Sequence, residues 1–438
     1  MLPAPGGSHR ARRAKWMAPY GRWVAWPSAA GGLWPCVSKP SIARQQGGPG
    51  ENNVKIVADQ NIPFVAECLA SVGQVTVLPG RRITRDALAD AEALLVRSIT
   101  PVNAALLDGT PVRFVATATI GTDHVDTAYL ASRGIGFASA PGSNADSVAE
   151  WLIAALLAMG KKHRLTLAGR RIGIIGVGNV GRRVEARCRA LGMEPILNDP
   201  PLERQTGDAK YRPLAEALAC DFVTLHVPLT REGPDATYHL ADARFFDAIK
   251  PGAFFINSAR GAVHDTAALK HARATGRIAG YVLDVWENEP RVDPDLLRKA
   301  ELSTPHVAGY AFDGKVRGMI MIYRALCEHF GIEPRHEESD FLPPPDVPEI
   351  RIDAPPADEQ AAIHDIVQQV YAVNRDDFNM REILLLEEDR RGPWFDDLRK
   401  NYPFRREFHN TRIVVPAACD TLAAKLAGIG FTVVRDTP

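Results

Sequence analysis

Three side chains that can move a proton and bind a carboxylate follow successive apolar runs in the sequence. Arg260 lies in Ile-Asn-Ser-Ala-Arg-Gly, Glu289 in Asp-Val-Trp-Glu-Asn-Glu-Pro, and His306 in Thr-Pro-His-Val-Ala-Gly-Tyr. A histidine can accept the proton of an alcohol, a carboxylate behind it fixes its tautomer, and a guanidinium binds the carboxylate of a substrate. Taken singly, these residues could cap a helix, lie in a turn or pair on the surface, but their order and spacing favour one site. We therefore predict an enzyme that oxidises an alcohol by hydride loss, with His306 as the base.

A glycine-rich turn indicates where the hydride acceptor binds. The predicted strand Arg171–Ile175 runs into Gly-Val-Gly-Asn-Val-Gly, and apolar residues at helical spacing follow at once. In such a turn Gly176 makes the tight bend, Gly178 lets the backbone approach a diphosphate, and Gly181 lets the helix pack on the strand. Asp199 ends the next strand, where a carboxylate accepts hydrogen bonds from ribose hydroxyls and repels a 2′-phosphate. The motif predicts NAD as the cofactor, unless Asp199 only begins the Asp-Pro-Pro turn.

The elements that must position these residues are short apolar strands that alternate with helical stretches. This alternation predicts parallel sheets covered on both faces. Strands are predicted at Val54–Ala58, Gln74–Leu78, Ala93–Val96, Phe114–Ala118 and Gly136–Ser139 in a first unit, at Arg171–Ile175, Pro195–Asn198, Phe222–His226, Ala253–Asn257, Gly280–Val285 and Leu302–Thr304 in a second, and at Glu349–Ile352, Arg412–Val415 and Phe431–Val434 in a third. A long apolar helix over about 143–161 joins the first two units. The predicted fold class is α/β, with two doubly wound, Rossmann-like parallel-sheet domains and a small α+β C-terminal domain.

The composition excludes several classes of function. Lys plus Arg and Asp plus Glu both number 52, so the zero net charge gives no general attraction to nucleic acid or to an anionic membrane. The longest apolar stretch, about 148–159, is too short to span a bilayer. The six cysteines are scattered without metal-ligand or disulfide spacing. We expect a cytoplasmic protein with no metal, no nucleic acid and no membrane as partner.

The first 52 residues differ from the rest of the chain. They are rich in Gly, Pro and Arg, and Glu51 is their only acid. No helical or strand period persists through them, and no apolar segment of a secretory signal follows the early arginines. We predict a disordered N-terminal extension upstream of a natural start near Val54; an organelle transit peptide is the alternative.

The motifs GVGNVG, INSARG, LDVWENEP and TPHVAGY together resemble those of the D-isomer-specific 2-hydroxy acid dehydrogenases. The segments VRSIT at 96–100, ATATIGTDHVD at 116–126 and KNYPFRREF at 400–408 narrow the resemblance to a branch that oxidises a small phosphorylated hydroxy acid in vitamin B6 synthesis. The resemblance implies a split substrate-binding domain at 54–145 plus 305–332 and an inserted NAD-binding domain at 146–304. It also implies a C-terminal dimerisation domain at 345–438, and hence a homodimer.

The resemblance also assigns roles to single residues. Arg260, Glu289 and His306 match the catalytic positions of the family. The cofactor-binding positions are Gly176, Gly178, Asn179, Val180, Gly181, Asp199, Val227, Ser258, Ala259, Asp284 and Gly309. The substrate-binding positions are Ser98, Thr119 and Tyr310. Val227 has no hydroxyl, so any contact there uses its backbone or apolar surface.

The phosphate of such a substrate needs further basic groups, because Arg260 is assigned to the carboxylate end. Arg405 and Arg406 lie between the aromatic residues Phe404 and Phe408. We hypothesise that Arg405 reaches the phosphate, across a dimer interface if the C-terminal domain pairs two subunits. A solvated surface pair is the alternative.

Two other functions share these motifs. A different member of the family, such as a phosphoglycerate dehydrogenase, would keep every catalytic residue and differ in substrate; its usual regulatory domain has no clear match in the C-terminal unit. A non-catalytic NAD-sensing protein would be marked by a spoiled catalytic set, whereas Arg260, Glu289 and His306 are all present.

Overall fold

Three parallel sheets organise residues 53–436, the part of the chain that the computed structural model describes. The predicted extension over 1–52 lies outside the described residues. The first sheet has the order β2-β1-β3-β4-β5 and consists of β1 (Val54–Asp59), β2 (Gly73–Leu78), β3 (Ala93–Val96), β4 (Phe114–Thr117) and β5 (Gly136–Ala138). The second has the order β11-β10-β9-β8-β6-β7 and consists of β6 (Arg171–Ile175), β7 (Glu194–Asn198), β8 (Phe222–Leu225), β9 (Ala253–Asn257), β10 (Ile278–Leu283) and β11 (Leu302–Ser303). The third has the order β12-β13-β14 and consists of β12 (Glu349–Arg351), β13 (Arg412–Pro416) and β14 (Thr432–Asp436).

Helices connect the strands and cover the sheets. They are α1 (Val65–Leu69), α2 (Ala104–Leu107), α3 (Thr127–Ser132), α4 (Ala145–His163), α5 (Gly181–Ala190), α6 (Pro200–Thr206), α7 (Leu214–Leu218), α8 (Ala243–Ala248), α9 (Thr266–Ala274), α10 (Pro294–Lys299), α11 (Phe312–Phe330), α12 (Glu359–Val370), α13 (Val373–Arg381), α14 (Glu388–Lys400) and α15 (Asp420–Ile429). Short 3₁₀ turns lie at Gly80–Arg82, Asp86–Leu88, Gly261–Val263, Glu338–Asp340, Glu382–Leu385 and Phe408–Asn410. Among the described helices, none has both the length and the apolar character that a bilayer crossing requires. The predicted fold class is confirmed.

The strands form where short apolar runs are bounded by turn residues. The four residues of β3, Ala-Leu-Leu-Val, are all buried, as are those of β4 and β8, because helices cover both faces of a parallel sheet. The predicted strand Gly280–Val285 is displaced: β10 begins at Ile278 and ends at Leu283. Asp284 directly follows β10, and its carboxylate accepts the backbone N–H groups of Val307 and Ala308.

Helix α4, which the sequence predicts as a long apolar helix, is buried on nearly every side. Val148 to Gly160 are all buried. The helix belongs to one apolar core with Ile172 and Ile174 of the second sheet and with Ile363 and Leu422 of the C-terminal helices. A helix that is apolar all round is stable only when it is enclosed in this way.

The C-terminal unit packs directly on the second unit. A Cβ at Gly428 of α15 would come within 2.3 Å of the Ala190 side chain, so the two helices touch only because that residue is glycine. Arg187 donates from Nε to the Ile429 carbonyl at 3.0 Å, and Phe408 stacks on Phe431 with ring centroids 4.5 Å apart. The C-terminal unit therefore packs against the second unit of the same chain through α15 and α5.

Candidate active site

A histidine and a carboxylate are hydrogen-bonded beyond the carboxyl end of β10 and β11. His306 Nδ1 lies 2.8 Å from Glu289 Oε2, and Glu289 Oε1 accepts the backbone N–H of Trp286 at 2.7 Å. Burial acts to raise the pKa of Glu289, but the charge of His306 and the hydrogen bonds to the carboxylate outweigh it, so the pKa is lowered. An ionised Glu289 keeps the proton on Nδ1 and leaves Nε2 of His306 to accept another.

The loop that carries His306 is held by a buried carboxylate. Asp284 accepts hydrogen bonds from Thr304 Oγ1 at 2.5 Å, Val307 N at 2.8 Å and Ala308 N at 3.1 Å. His306 has a left-handed backbone, with φ of 58°, and its N–H donates to the Asp284 carbonyl at 2.7 Å. Burial raises the pKa of Asp284, against the charge of His306 and these hydrogen bonds. Asp284 therefore positions the histidine loop.

Arg260 extends from the second sheet to a loop of the first. It follows β9, and its Nε lies 3.4 Å from Asp123 Oδ2, in the loop after β4. A Cβ at Gly121 of that loop would lie only 2.0 Å from Arg260 Nη2. Thr119 belongs to the same loop and donates from its hydroxyl to the Gly121 carbonyl at 3.1 Å. The guanidinium thus stands between the two sheets, next to one of the predicted substrate-binding residues.

The glycine-rich turn has the geometry that its three glycines predict. Gly176 has φ of 87°, and a Cβ there would come within 2.7 Å of the His226 backbone and 2.9 Å of Val227 Cγ1. A Cβ at Gly181 would lie 2.1 Å from the Gly176 carbonyl oxygen, which makes α5 pack tightly on the turn. A Cβ added to Gly178 would have no atom of another described residue within 4 Å, apart from its chain neighbours. That open approach to backbone N–H groups at a helix start suits a diphosphate.

Asp199 has two contacts within the protein. Its Oδ2 accepts the Val177 N–H of the glycine-rich turn at 2.8 Å, and its Oδ1 accepts the Leu202 N–H at 3.0 Å as the N-cap of α6. The alternative that Asp199 begins a turn is therefore correct in part, because the carboxylate also ties that turn to the cofactor loop.

The remaining predicted cofactor residues lie after β9, at the start of α5 and in the loop after β11. Ser258 Oγ is buried and has no hydrogen-bond partner among the described residues, so it can bind a polar group placed beside it. The next residue, Ala259, donates its N–H to Asn257 Oδ1 at 2.9 Å. Asn179 accepts from Arg182 at 2.6 Å, Val180 precedes α5, and Gly309 packs on Asn144. An orphaned hydroxyl, an open glycine turn and a carboxylate on that turn fit a dinucleotide.

The sequence of this chain matches known proteins over nearly all of the described part. Residues 147–308 match the family model described as D-isomer specific 2-hydroxyacid dehydrogenase, NAD binding domain. The chain is 48% identical to the erythronate-4-phosphate dehydrogenase of Salinibacter ruber over 376 residues. The alignment covers 83% of this chain and 96% of that one. The chain belongs to the erythronate-4-phosphate dehydrogenase family. The enzyme of that name from Escherichia coli is 41% identical over 383 residues, or 87% of this chain and 99% of that one.

Solved structures support the fold of this erythronate-4-phosphate dehydrogenase family member. The TT0316 protein of Thermus thermophilus superposes with a TM-score of 0.56 at 25% identity, over 65% of this chain and 99% of that one. The D-lactate dehydrogenase of Aquifex aeolicus, solved with NAD and lactic acid, has a TM-score of 0.53 at 24% identity. The superposition covers 63% of this chain and 96% of that one. The chain is an NAD-dependent oxidoreductase of the 2-hydroxy acid dehydrogenase type.

A second family match covers the C-terminal unit. Residues 341–430 match a family model described only as a domain of unknown function. This stretch contains α12 to α15 and the strands β12 and β13 of the third sheet. The match assigns no role to the C-terminal unit, so its role is inferred from its contacts in the structure.

Arg405 is buried inside its own chain, so it lies neither on the surface nor in a partner's cleft. Its Nη1 lies 2.9 Å from Glu150 Oε2 of α4, with only 4% and 1% of the two side chains exposed. The guanidinium also lies over the Tyr371 ring, with Cζ 4.0 Å from the centroid. Because the charge is neutralised inside its own chain, the geometry does not support the phosphate contact expected of Arg405. Arg406 is likewise buried, against Asp313.

One group of potential ligands could be mistaken for a metal site. Asp313, Glu407 and His409 offer ligand atoms within 4.8 Å of one another. Arg406 pairs with Asp313, and Arg317 pairs with Glu407 at 3.0 Å, so protein cations already neutralise both carboxylates.

Two cations near Tyr310 were not singled out from the sequence. Lys315 Nζ lies 4.6 Å from the Tyr310 ring centroid, and Arg399 Cζ lies 5.8 Å from it. Tyr310 also meets Tyr402 edge to face at 5.6 Å. Ser98, the other predicted substrate residue, is exposed just after β3.

Proposed function

We propose that this chain oxidises the 2-hydroxyl of 4-phospho-D-erythronate to 2-oxo-3-hydroxy-4-phosphobutanoate with NAD, a step of pyridoxal 5′-phosphate (vitamin B6) synthesis. The observation that carries the proposal is the pair of His306 and Glu289 at 2.8 Å. Arg260 is linked to this pair through its neighbour Gly261, which packs on the Trp286 backbone whose N–H donates to Glu289. The names of the relatives with 48% and 41% identity supply the substrate.

The proposed reaction uses each catalytic side chain once. Arg260 binds the substrate carboxylate and polarises the carbonyl that forms at C2. His306 accepts the hydroxyl proton on Nε2, and Glu289 stabilises the imidazolium. The hydride leaves C2 with the electron pair of the C–H bond for bound NAD, which is the chemistry that the cofactor supplies. One proton and one hydride leave, and the C2–O bond becomes a carbonyl.

The proposed binding residues surround this centre. Ser98, Thr119 and Tyr310 contact the substrate. The glycine-rich turn of Gly176, Gly178, Asn179, Val180 and Gly181 holds the diphosphate, Asp199 the ribose, and Val227, Ser258, Ala259, Asp284 and Gly309 line the path toward the nicotinamide. Support comes from the buried hydroxyl of Ser258, which has no partner among the described side chains.

Isotope transfer tests the reaction. With 4-phospho-D-erythronate deuterated at C2, the enzyme should release NADH that carries the deuterium. NADH without the label would contradict hydride loss from C2. No NADH from this substrate, but rapid NADH formation from 3-phosphoglycerate, would favour the phosphoglycerate alternative.

We further propose a homodimer formed by the C-terminal unit. Phe378 and Leu385, on α13 and the turn after it, are 67% and 86% exposed, which is unusual for large apolar side chains in a packed unit. A second copy of the same surface would cover them. A cytoplasmic location is also proposed, since five buried cysteines are free thiols, as in reducing compartments. The domain boundaries 54–145 plus 305–332, 146–304 and 345–438 remain part of the proposal.

A further inference from the structure

Lys315 is a half-buried cation on the first turn of α11. Its Nζ lies against the ring of Tyr310, and no carboxylate among the described residues forms an ion pair with it. Burial, together with the nearby charges of Arg97 and Arg405, lowers the pKa of Lys315 to about 8. A lysine placed in this way is held at a cost in free energy unless an anion joins it.

Arg399 approaches the same tyrosine from α14 in the C-terminal unit. Its Nε is buried and has no hydrogen-bond partner among the described residues. Burial opposes its charge, while Tyr310 and Glu289 favour it, and the pKa of Arg399 is raised. The guanidinium therefore remains a cation with a free donor close to the catalytic carboxylate.

Arg97 adds a third positive charge from the first sheet. It directly precedes the predicted substrate residue Ser98, and its Nη1 donates to the Asn61 carbonyl at 3.3 Å. Arg97 lies close enough for its charge to add to burial in lowering the pKa of Lys315, while Lys315 of α11 and Arg399 of α14 lie against the Tyr310 ring. Arg405, although close to Lys315, is already paired with Glu150 and adds little net charge.

This arrangement suits a dianion better than a second carboxylate. Arg260 already serves the carboxylate end of the substrate, so the opposite end, which bears the phosphate, requires its own cations. Lysine acts as a point charge and arginine as a fork of donors, and phosphate accepts from both. We propose that Lys315 and Arg399, which both lie against the ring of Tyr310, bind the phosphate group of the substrate. This inference rests on the proposed function.

The proposal gives the C-terminal unit a role in its own chain's active site. The matched domain of unknown function would supply Arg399, whereas the sequence pointed to Arg405. The competing explanation is that both cations only stack on Tyr310 and stabilise the loop. A purely structural role would affect phosphorylated and unphosphorylated substrates equally.

The test compares KM for 4-phospho-D-erythronate and D-erythronate in Lys315→Met and Arg399→Met. Loss of one charge-assisted hydrogen bond should raise KM for the phosphorylated substrate at least about tenfold and leave KM for D-erythronate nearly unchanged. Lys315→Arg and Arg399→Lys should restore much of the preference. Lys161→Met, which removes an exposed lysine paired with Asp365, is the matched control and should change neither value. Equal changes for both substrates, or no change, would overturn the assignment.

Binding of inorganic phosphate to the NAD-loaded enzyme, measured by calorimetry, separates this inference from the proposed function. If the wild-type enzyme fails to oxidise 4-phospho-D-erythronate but binds phosphate, and either methionine variant weakens that binding, the proposed function fails and the anion site stands. If the wild-type enzyme oxidises the substrate and the folded variants bind phosphate as it does, the anion site fails alone. A melting temperature for each variant identifies those that fold.

Discussion

Among single residues, the proton acceptor His306 is held by the carboxylate of Glu289. His306 and Glu289 meet through one hydrogen bond of 2.8 Å, and Glu289 is fixed in turn by the Trp286 N–H. The residue types and spacing were enough to predict this pair, because each residue follows a strand end where parallel sheets collect their ligands.

Replacing His306 by Asn should lower kcat by about two to four orders of magnitude, since a positioned acid-base group contributes that much. Binding of NAD, followed by protein fluorescence, should stay near the wild-type value because the ring does not build the glycine-rich turn. Glu289→Gln should cause a smaller loss of kcat, since His306 remains but loses its charged partner. Near-normal turnover of the Asn variant at neutral pH would contradict the role of His306.

The two roles of Asp199 can be separated by two substitutions. Asp199→Asn keeps an oxygen that caps α6 but removes the charge, so the preference for NAD over NADP should fall while stability is nearly kept. Asp199→Ala should abolish the preference for NAD over NADP. It should also lower the free energy of unfolding by about 1 kcal/mol, because the cap of α6 is lost. The ratio of kcat/KM for the two cofactors and a urea titration measure these effects. An unchanged cofactor ratio in both variants would leave Asp199 as a cap alone.

At the scale of elements, the sequence predicted most strands to within two residues. Short runs such as Ala93–Val96 and Ala253–Asn257 were placed with their observed ends, because apolar residues stop where turn residues begin. The sequence could not predict the cations at Tyr310. Lys315 is only five residues from Tyr310 in sequence, but Arg399 reaches that ring through the packing of α14, which leaves no local pattern.

The prediction that Arg405 binds the phosphate failed because its contact, too, is made by residues far apart in sequence. Its partner Glu150 is 255 residues away in sequence and interrupts the apolar run 148–159 of α4. That lone acid in an apolar run was a signal that a buried cation must come from elsewhere in the chain. Burial raises the pKa of Glu150, and the charge of Arg405 opposes the shift.

Arg405→Met should therefore destabilise the fold by about 3–5 kcal/mol, because it leaves a buried carboxylate without its cation. Its effects on phosphorylated and unphosphorylated substrates should be equal. Arg298→Met is the control, since its exposed pair with Asp295 should contribute less than about 1 kcal/mol. Urea unfolding gives both values, and a similar small loss in the two variants would contradict the buried-pair account.

In the whole molecule, two sheets meet at the catalytic centre and the C-terminal unit packs on the second. Leu385→Asp should shift the protein from dimer to monomer in light scattering, because a charge would face the proposed second copy. Gln205→Glu adds the same charge at an exposed position of α6, in the second unit, and should leave the mass unchanged. A monomeric wild type, or a dimeric Leu385 variant, would argue against this surface as the interface.

Oxidation of 4-phospho-D-erythronate by this NAD-dependent active site is tested by measuring kcat/KM from NADH absorbance with three substrates. The substrates are 4-phospho-D-erythronate, 3-phosphoglycerate and D-glycerate, each offered separately to the purified enzyme. The account predicts the highest kcat/KM for 4-phospho-D-erythronate and the lowest for D-glycerate, which lacks a phosphate. A higher value for 3-phosphoglycerate, or no NADH from any of the three, would contradict it.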